Sequence, residues 1–113
     1  IKYTGDENSI RQLISILVDN AMKYAVETTP IDISLRRDGR KVRFMLRNLT
    51  DGMDEGSQDI LFERFYRPDS SRNSETGGSG IGLSLAKSIV EAHKGKITAK
   101  CDKDGYITFQ VTL

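Results

Sequence analysis

Tryptophan is absent from this 113-residue chain, cysteine and histidine occur once each, and proline only twice. A single thiol excludes an internal disulfide, and one Cys with one His cannot complete a zinc site unaided. Neither sign of charge dominates. Seventeen Lys and Arg face sixteen Asp and Glu, a net of +1, so no strong field argues for nucleic acid or an anionic membrane as partner. No apolar run approaches a bilayer span, and the first residues lack the pattern of a cleavable signal. With 37% apolar and 29% charged residues, the composition is that of a folded, well-solvated domain with one core. Glycine is the residue that stands out. Ten are present, and Gly77, Gly78, Gly80 and Gly82 fall within six positions.

Hydrophobic periodicity divides the chain into short elements. Residues 1–5 read as a strand or lead-in. A helix follows, with Asp6 as its N-cap, running to Thr28-Thr29-Pro30, where proline pushes its predecessor out of the α region. On that helix Ile10, Leu13, Ile14, Leu17, Val18, Ala21 and Tyr24 fall on one arc, the expected core face. Asn20 lies at its edge beside Ile16 and Lys23, placed to line a cleft. Segments 31–37 and 41–48 alternate around Asp38-Gly39, and 96–102 and 106–113 around Asp104-Gly105, two β-hairpin patterns. Residues 49–57 read as a loop and 58–66 as a short helix contributing Phe62 and Phe65 to the core. Residues 67–79 contain no large apolar side chain, which predicts a mobile segment. Helical periodicity resumes over Gly80–His93, with Lys94-Gly95 as its stop. The expected fold is an α/β two-layer sandwich: a mixed, mostly antiparallel sheet with helices on one face, in a single domain spanning 1–113.

Three clusters carry chemistry. Gly77-Gly78-Ser79-Gly80-Ile81-Gly82-Leu83 leads into a helix, where glycines allow close backbone approach and free N–H groups attract phosphate. It matches neither the dinucleotide fingerprint nor the P-loop. Asn20 and Lys23 share a helix face. The amide oxygen of one can ligate Mg²⁺, the ammonium of the other can reach phosphate, and Tyr24 adds a flat ring. Arg64 and Arg67 bracket Phe65-Tyr66, and arginine suits phosphate oxygens. Singly, each cluster fits an ordinary structural role as well as a ligand site.

Together and in this order, LVDNAMKYA, LFERFYR and GGSGIGLSLAKSIVEAHKGKI resemble the asparagine, phenylalanine and second glycine boxes of the ATP-binding catalytic domain of bacterial sensor histidine kinases. That domain shares its superfamily with gyrase-type topoisomerases, Hsp90 chaperones and mismatch-repair ATPases. The resemblance covers essentially the whole chain. It implies an ATP site between the first helix and a lid over 67–79, with Asn20 on Mg²⁺, Lys23 on phosphate and Tyr24 against the nucleotide. Arg64 and Arg67 would meet phosphate or lid, and Gly78, Gly80, Gly82 and Leu83 would bring N–H groups to the phosphates. Asn20, Lys23 and Arg67 carry the catalytic expectation, which is γ-phosphoryl transfer to a histidine by positioning and charge neutralisation. The acceptor histidine would lie on a separate helical-hairpin domain, with a response regulator beyond it. The domain itself would be monomeric, at the cytoplasmic end of a membrane-anchored sensor, and would touch neither membrane nor nucleic acid.

The sequence departs from the family pattern in two boxes. Counting back from FERFYR puts Asn48-Leu49-Thr50-Asp51-Gly52 where the first glycine box reads D-x-G-x-G. Asn48 then stands for the carboxylate that meets the adenine amino group, and Thr50 for the first glycine, its Cβ crowding the base or demanding a different turn. Ile16 occupies the position of a second asparagine. The altered first glycine box keeps one alternative open, a catalytically weak nucleotide-binding or docking module of this fold; a second, a serine-directed anti-sigma-type kinase on the same fold, is disfavoured by FERFYR. His93 is expected to be a structural helix-end residue and Cys101 a buried small hydrophobe.

Overall fold

The structure, a computed structural model, describes residues 5–51, 53–63 and 82–113. Residues 1–4 of the strand or lead-in expected over 1–5, and the segment 64–81, which includes the expected lid, lie outside the described residues. Helix α1 spans Glu7–Tyr24 and helix α2 Gly82–Ala92; strands β1 (Ile31–Asp38), β2 (Lys41–Leu49), β3 (Gly56–Ser57), β4 (Lys96–Cys101) and β5 (Tyr106–Thr112) form one sheet in the order β1-β2-β5-β4-β3. Every pairing among these strands is antiparallel. Both hairpins form as their turn residues predict. Gly39 takes φ +64° between the paired Asp38 and Lys41, and Gly105 takes φ +91° in the second turn.

Helix α1 buries Leu13, Leu17 and Ala21, a spacing of four that keeps one stripe on the sheet. Ile14, 60° from the centre of that stripe on a helical wheel, is 41% exposed, so the apolar arc is wider than the buried one. Asp6 occupies the N-cap position without bonding a helix N–H; its carboxylate accepts from Ser9 Oγ at 2.7 Å instead. The helix stops at Tyr24, short of Pro30, because the chain turns extended at Ala25 and Val26 donates its N–H to Leu49 at 2.9 Å. The termination comes from the end of β2, not from proline.

Helix α2 packs on α1 and β4 through Ala86, Ile89 and Val90. Its end is a Schellman motif: Gly95 N–H bonds Val90 O and Lys94 N–H bonds Glu91 O, both at 2.9 Å, with Lys94 at φ +59°. His93 joins the two helices. Its Nδ1 lies 2.8 Å from Ile89 O and its Nε2 accepts the Asp6 N–H at 3.3 Å, which makes it the structural residue expected. The short helix expected over 58–66 is a 3-10 turn over Asp59–Phe62 among the described residues. Phe62 is buried edge-on against Phe109, ring centroids 6.1 Å apart. Strand β3, read in the sequence as loop, is held on β4 by Gln58 N–H to Ala99 O (2.8 Å) and by the Asp59 carboxylate, which accepts the Ala99 N–H at 3.0 Å.

Candidate functional site

Two flanks of α1 border its buried stripe. On one, Ile16 and Asn20 sit a single turn apart and are half-buried, with Lys23 exposed beyond them. Gly82, the first residue of α2, rests against this flank: a Cβ built there would lie 3.7 Å from Ile16 Cγ2. Asn20, one turn on from Ile16, therefore sits on the flank that borders the start of α2. The first N–H groups of α2 have no acceptor within the helix and carry its positive partial charge. Gly82 is exposed and Leu83 half-buried there.

The last turn of α1 reaches the second part of the site. Tyr24 is half-buried, and two residues later the Val26–Leu49 hydrogen bond ties this segment to the end of β2, next to Asn48. Asn48 is 1% exposed, opposite Ile31 on β1 and Ile107 on β5. Its Nδ2 reaches only Leu49 O, at 3.4 Å, and its Oδ1 is buried with no hydrogen-bond partner. A buried amide oxygen without a donor costs about 1–3 kcal/mol. An incoming amino group would recover that cost.

Thr50 is held by two hydrogen bonds. Its N–H and its hydroxyl both donate to Gly105 O, at 2.8 and 2.9 Å, and it does not adopt a positive φ. The side chain that stands in place of a glycine pins the loop to the β4–β5 turn, 55 positions away. Cys101 is fully buried, as expected. Burial pushes its thiol pKa up, Thr50 pulls it down, and the carboxylates of Asp102, Glu55 and Asp54 raise it further. It remains a protonated apolar group. Among the described residues no group of three or more His, Cys, Asp or Glu could hold a metal ion. Gly52, Arg64, Arg67, Gly78 and Gly80 lie outside the described residues. The structure thus places Asn20 and Lys23 on the α1 flank that meets Gly82 at the start of α2, and Asn48 at the end of β2, which the Val26–Leu49 bond ties to the segment just after Tyr24. A shallow groove of about 200 Å³ lined by Thr98, Lys100, Tyr106 and Thr108 lies on the opposite sheet face.

Two helices packed on one face of an antiparallel sheet make a two-layer α/β sandwich. Residues 5–113 match the profile of the histidine kinase-, DNA gyrase B-, and HSP90-like ATPases, and the chain belongs to that family. It is 40% identical over 109 residues to the probable sensor protein PcoS of Escherichia coli, covering 96% of this chain and 23% of PcoS. It is 45% identical over 97 residues to the sensor histidine kinase YkoH of Bacillus subtilis (strain 168), covering 85% of this chain and 21% of YkoH. The catalytic domain of histidine kinase ThkA superposes with a TM-score of 0.76 at 24% identity, over 96% of this chain and 69% of that one, a likeness of fold. The chain spans less than a quarter of the length of these two curated relatives.

Proposed function

We propose that this chain is the catalytic domain of a sensor histidine kinase: it binds Mg-ATP and donates the γ-phosphoryl group to a histidine on a separate helical-hairpin domain. In that step the bond from the γ-phosphorus to the ADP oxygen breaks, a phosphorus–nitrogen bond to the imidazole forms, and the imidazole proton leaves. The observation that carries the reading is the orphaned Oδ1 of Asn48. It is a buried acceptor at the position where the family places its adenine contact, and it accepts the amino group of the base without charge.

The other roles follow from placement. Asn20 would hold Mg²⁺ through its side-chain oxygen, and the ion would supply charge neutralisation at the phosphates. Lys23 reaches the phosphates, and Tyr24 lies along the nucleotide. The N–H groups at Gly82 and Leu83 meet phosphate at the helix start, joined by Gly78 and Gly80 and by Arg64 and Arg67, while Gly52 belongs with Asn48 to the adenine-side box. The chain's residues position and neutralise; none is a covalent catalyst. The acceptor-histidine domain and a response regulator are the partners, and the domain works at the cytoplasmic end of its sensor. Among the described residues no helix is long and apolar enough to cross a membrane.

Calorimetric titration with ADP and ATP, with and without Mg²⁺, tests this. Asn20→Ala should remove most of the Mg²⁺ dependence, and affinity unmoved by that change would sink the metal assignment. Phosphate transfer to a histidine of a fused helical-hairpin domain separates a kinase from a nucleotide-binding docking module, which would bind without transferring.

A further inference from the structure

The sheet ends at β1, and nothing among the described residues pairs with its outer side. The strand is eight residues long, and every residue after Ile31 is exposed. Val42 and Leu113 exchange both backbone hydrogen bonds, so Val42 turns its N–H and C=O toward β5 and its neighbours Lys41 and Arg43 turn theirs toward β1. Arg36 pairs with Arg43. By alternation, the N–H and C=O groups of Ile33, Leu35 and Arg37 point away from the sheet. The same residues carry the exposed apolar side chains: Ile33 and Leu35 are each 53% exposed, opposite Leu46 and Phe44. The cause is width. Five strands spaced about 4.8 Å apart are broader than two helices about 8–10 Å apart can roof.

Charge gives this edge a polarity. Arg36, Arg37, Arg40, Lys41 and Arg43 gather at the hairpin tip around a single carboxylate, Asp38, which is taken by Arg43 at 3.2 Å. Asp32, toward the other end, is engaged by Arg47 at 4.0 Å. Among the described residues Arg36, Arg40 and Lys41 have no ion-pair partner. An edge strand usually carries charge that discourages pairing. Here the charge left without an ion-pair partner among the described residues is positive and lies at one end, so it repels cationic strands and attracts acidic ones.

We propose that β1 is a docking edge for an extended acidic segment of a partner protein, which adds as a sixth strand, lays alternate apolar residues beside Ile33 and Leu35, and sets its carboxylates against the hairpin tip. This surface is separate from the nucleotide site and does not depend on it.

The test is fluorescence anisotropy of the 113-residue chain with a short fluorescein-labelled peptide alternating valine and glutamate. Binding should fall by about tenfold or more when alternate peptide nitrogens are N-methylated, when Leu35→Pro removes an outward N–H at an edge position that tolerates proline, and in the double variant Arg36→Glu/Arg40→Glu. Thermal melts confirm that each variant is folded, and the charge variant stands if the proline variant is not. No binding overturns the proposal. So does equal binding of the N-methylated peptide, which would show ionic attraction alone. Binding of phosphatidylglycerol vesicles in place of peptide would make the edge a membrane contact, and a dimer in sedimentation that Leu35→Pro dissolves would make it a contact between copies; either result overturns the proposal.

Discussion

A neutral amide at position 48 stands where a carboxylate would make a charge-assisted bond. Hydrogen bonds to charged groups contribute roughly 1.5–3 kcal/mol against about 0.5–1.5 for neutral ones. Asn48→Asp should therefore tighten ADP binding by about tenfold, read by calorimetry; unchanged affinity would move the adenine contact elsewhere. Asp102 makes a second residue-scale prediction. Its carboxylate accepts the N–H groups of Tyr106 (3.1 Å) and Asp104 (2.9 Å) and meets Arg47 at 3.5 Å. Chiefly through the Tyr106 bond, with Asp104 and Arg47 adding to it, its pKa lies below the usual carboxylate value despite some desolvation. A lowered folded-state pKa stabilises above the unfolded carboxylate pKa and loses that contribution as pH falls through the folded one. Melting midpoints recorded across the acid range should fall less steeply in Asp102→Asn than in the parent. Thr50 and Asn48 differ in legibility: both substitutions could be read by counting from FERFYR, but Thr50's attachment to Gly105 spans 55 positions and has no local signature.

At the scale of elements, the end of α2 separates two jobs often given to one glycine. Lys94 holds the left-handed position at φ +59°, and Gly95 fills the tight one: a Cβ on it would lie 2.3 Å from Thr112 O and 3.0 Å from Leu113 Cδ2. Lys94→Gly should stabilise the domain by up to about 1 kcal/mol. Gly95→Ala should destabilise it by about 1–3 kcal/mol, since the clash is with backbone. Urea unfolding of both variants checks the opposite signs. The stop signal at Lys94-Gly95 was legible, whereas the reason for the glycine, the close passage of the end of β5, was not. Helix α1 shows the converse. Its periodicity and its start near Asp6 could be read directly, but its end at Tyr24 depends on the Val26–Leu49 bond, which no window along the sequence contains.

For the whole molecule, one core serves both layers. Phe109 on β5 is 1% exposed and meets Phe62 from the 3-10 turn, while Leu17 from α1 and Val90 from α2 close over the same sheet. Phe109→Ala should cost about 3–5 kcal/mol, a large share of the roughly 5–15 kcal/mol typical of a domain, and so lower the urea midpoint sharply without a second transition. The absences in the composition suit this arrangement. With no disulfide available, burial and the two hairpins hold the fold, and the short segment at Gly56–Asp59 completes the sheet on its far side.

The sequence by itself determined what depends on near neighbours: the helix and strand periodicities, the glycine turns at Gly39 and Gly105, and the ordered boxes that assign the chain to its ATPase family. Tertiary structure alone decided what depends on distant segments meeting. It left Asn48 buried with an unanswered oxygen, set Gly82 against Ile16 so that Asn20 borders a helix start, and ended α1 six residues before its proline. It also left β1 beyond the reach of two helices. Periodicity is a property of a few consecutive residues, whereas burial and hydrogen-bond partnership are properties of the packed layers, and the site is built from the second kind.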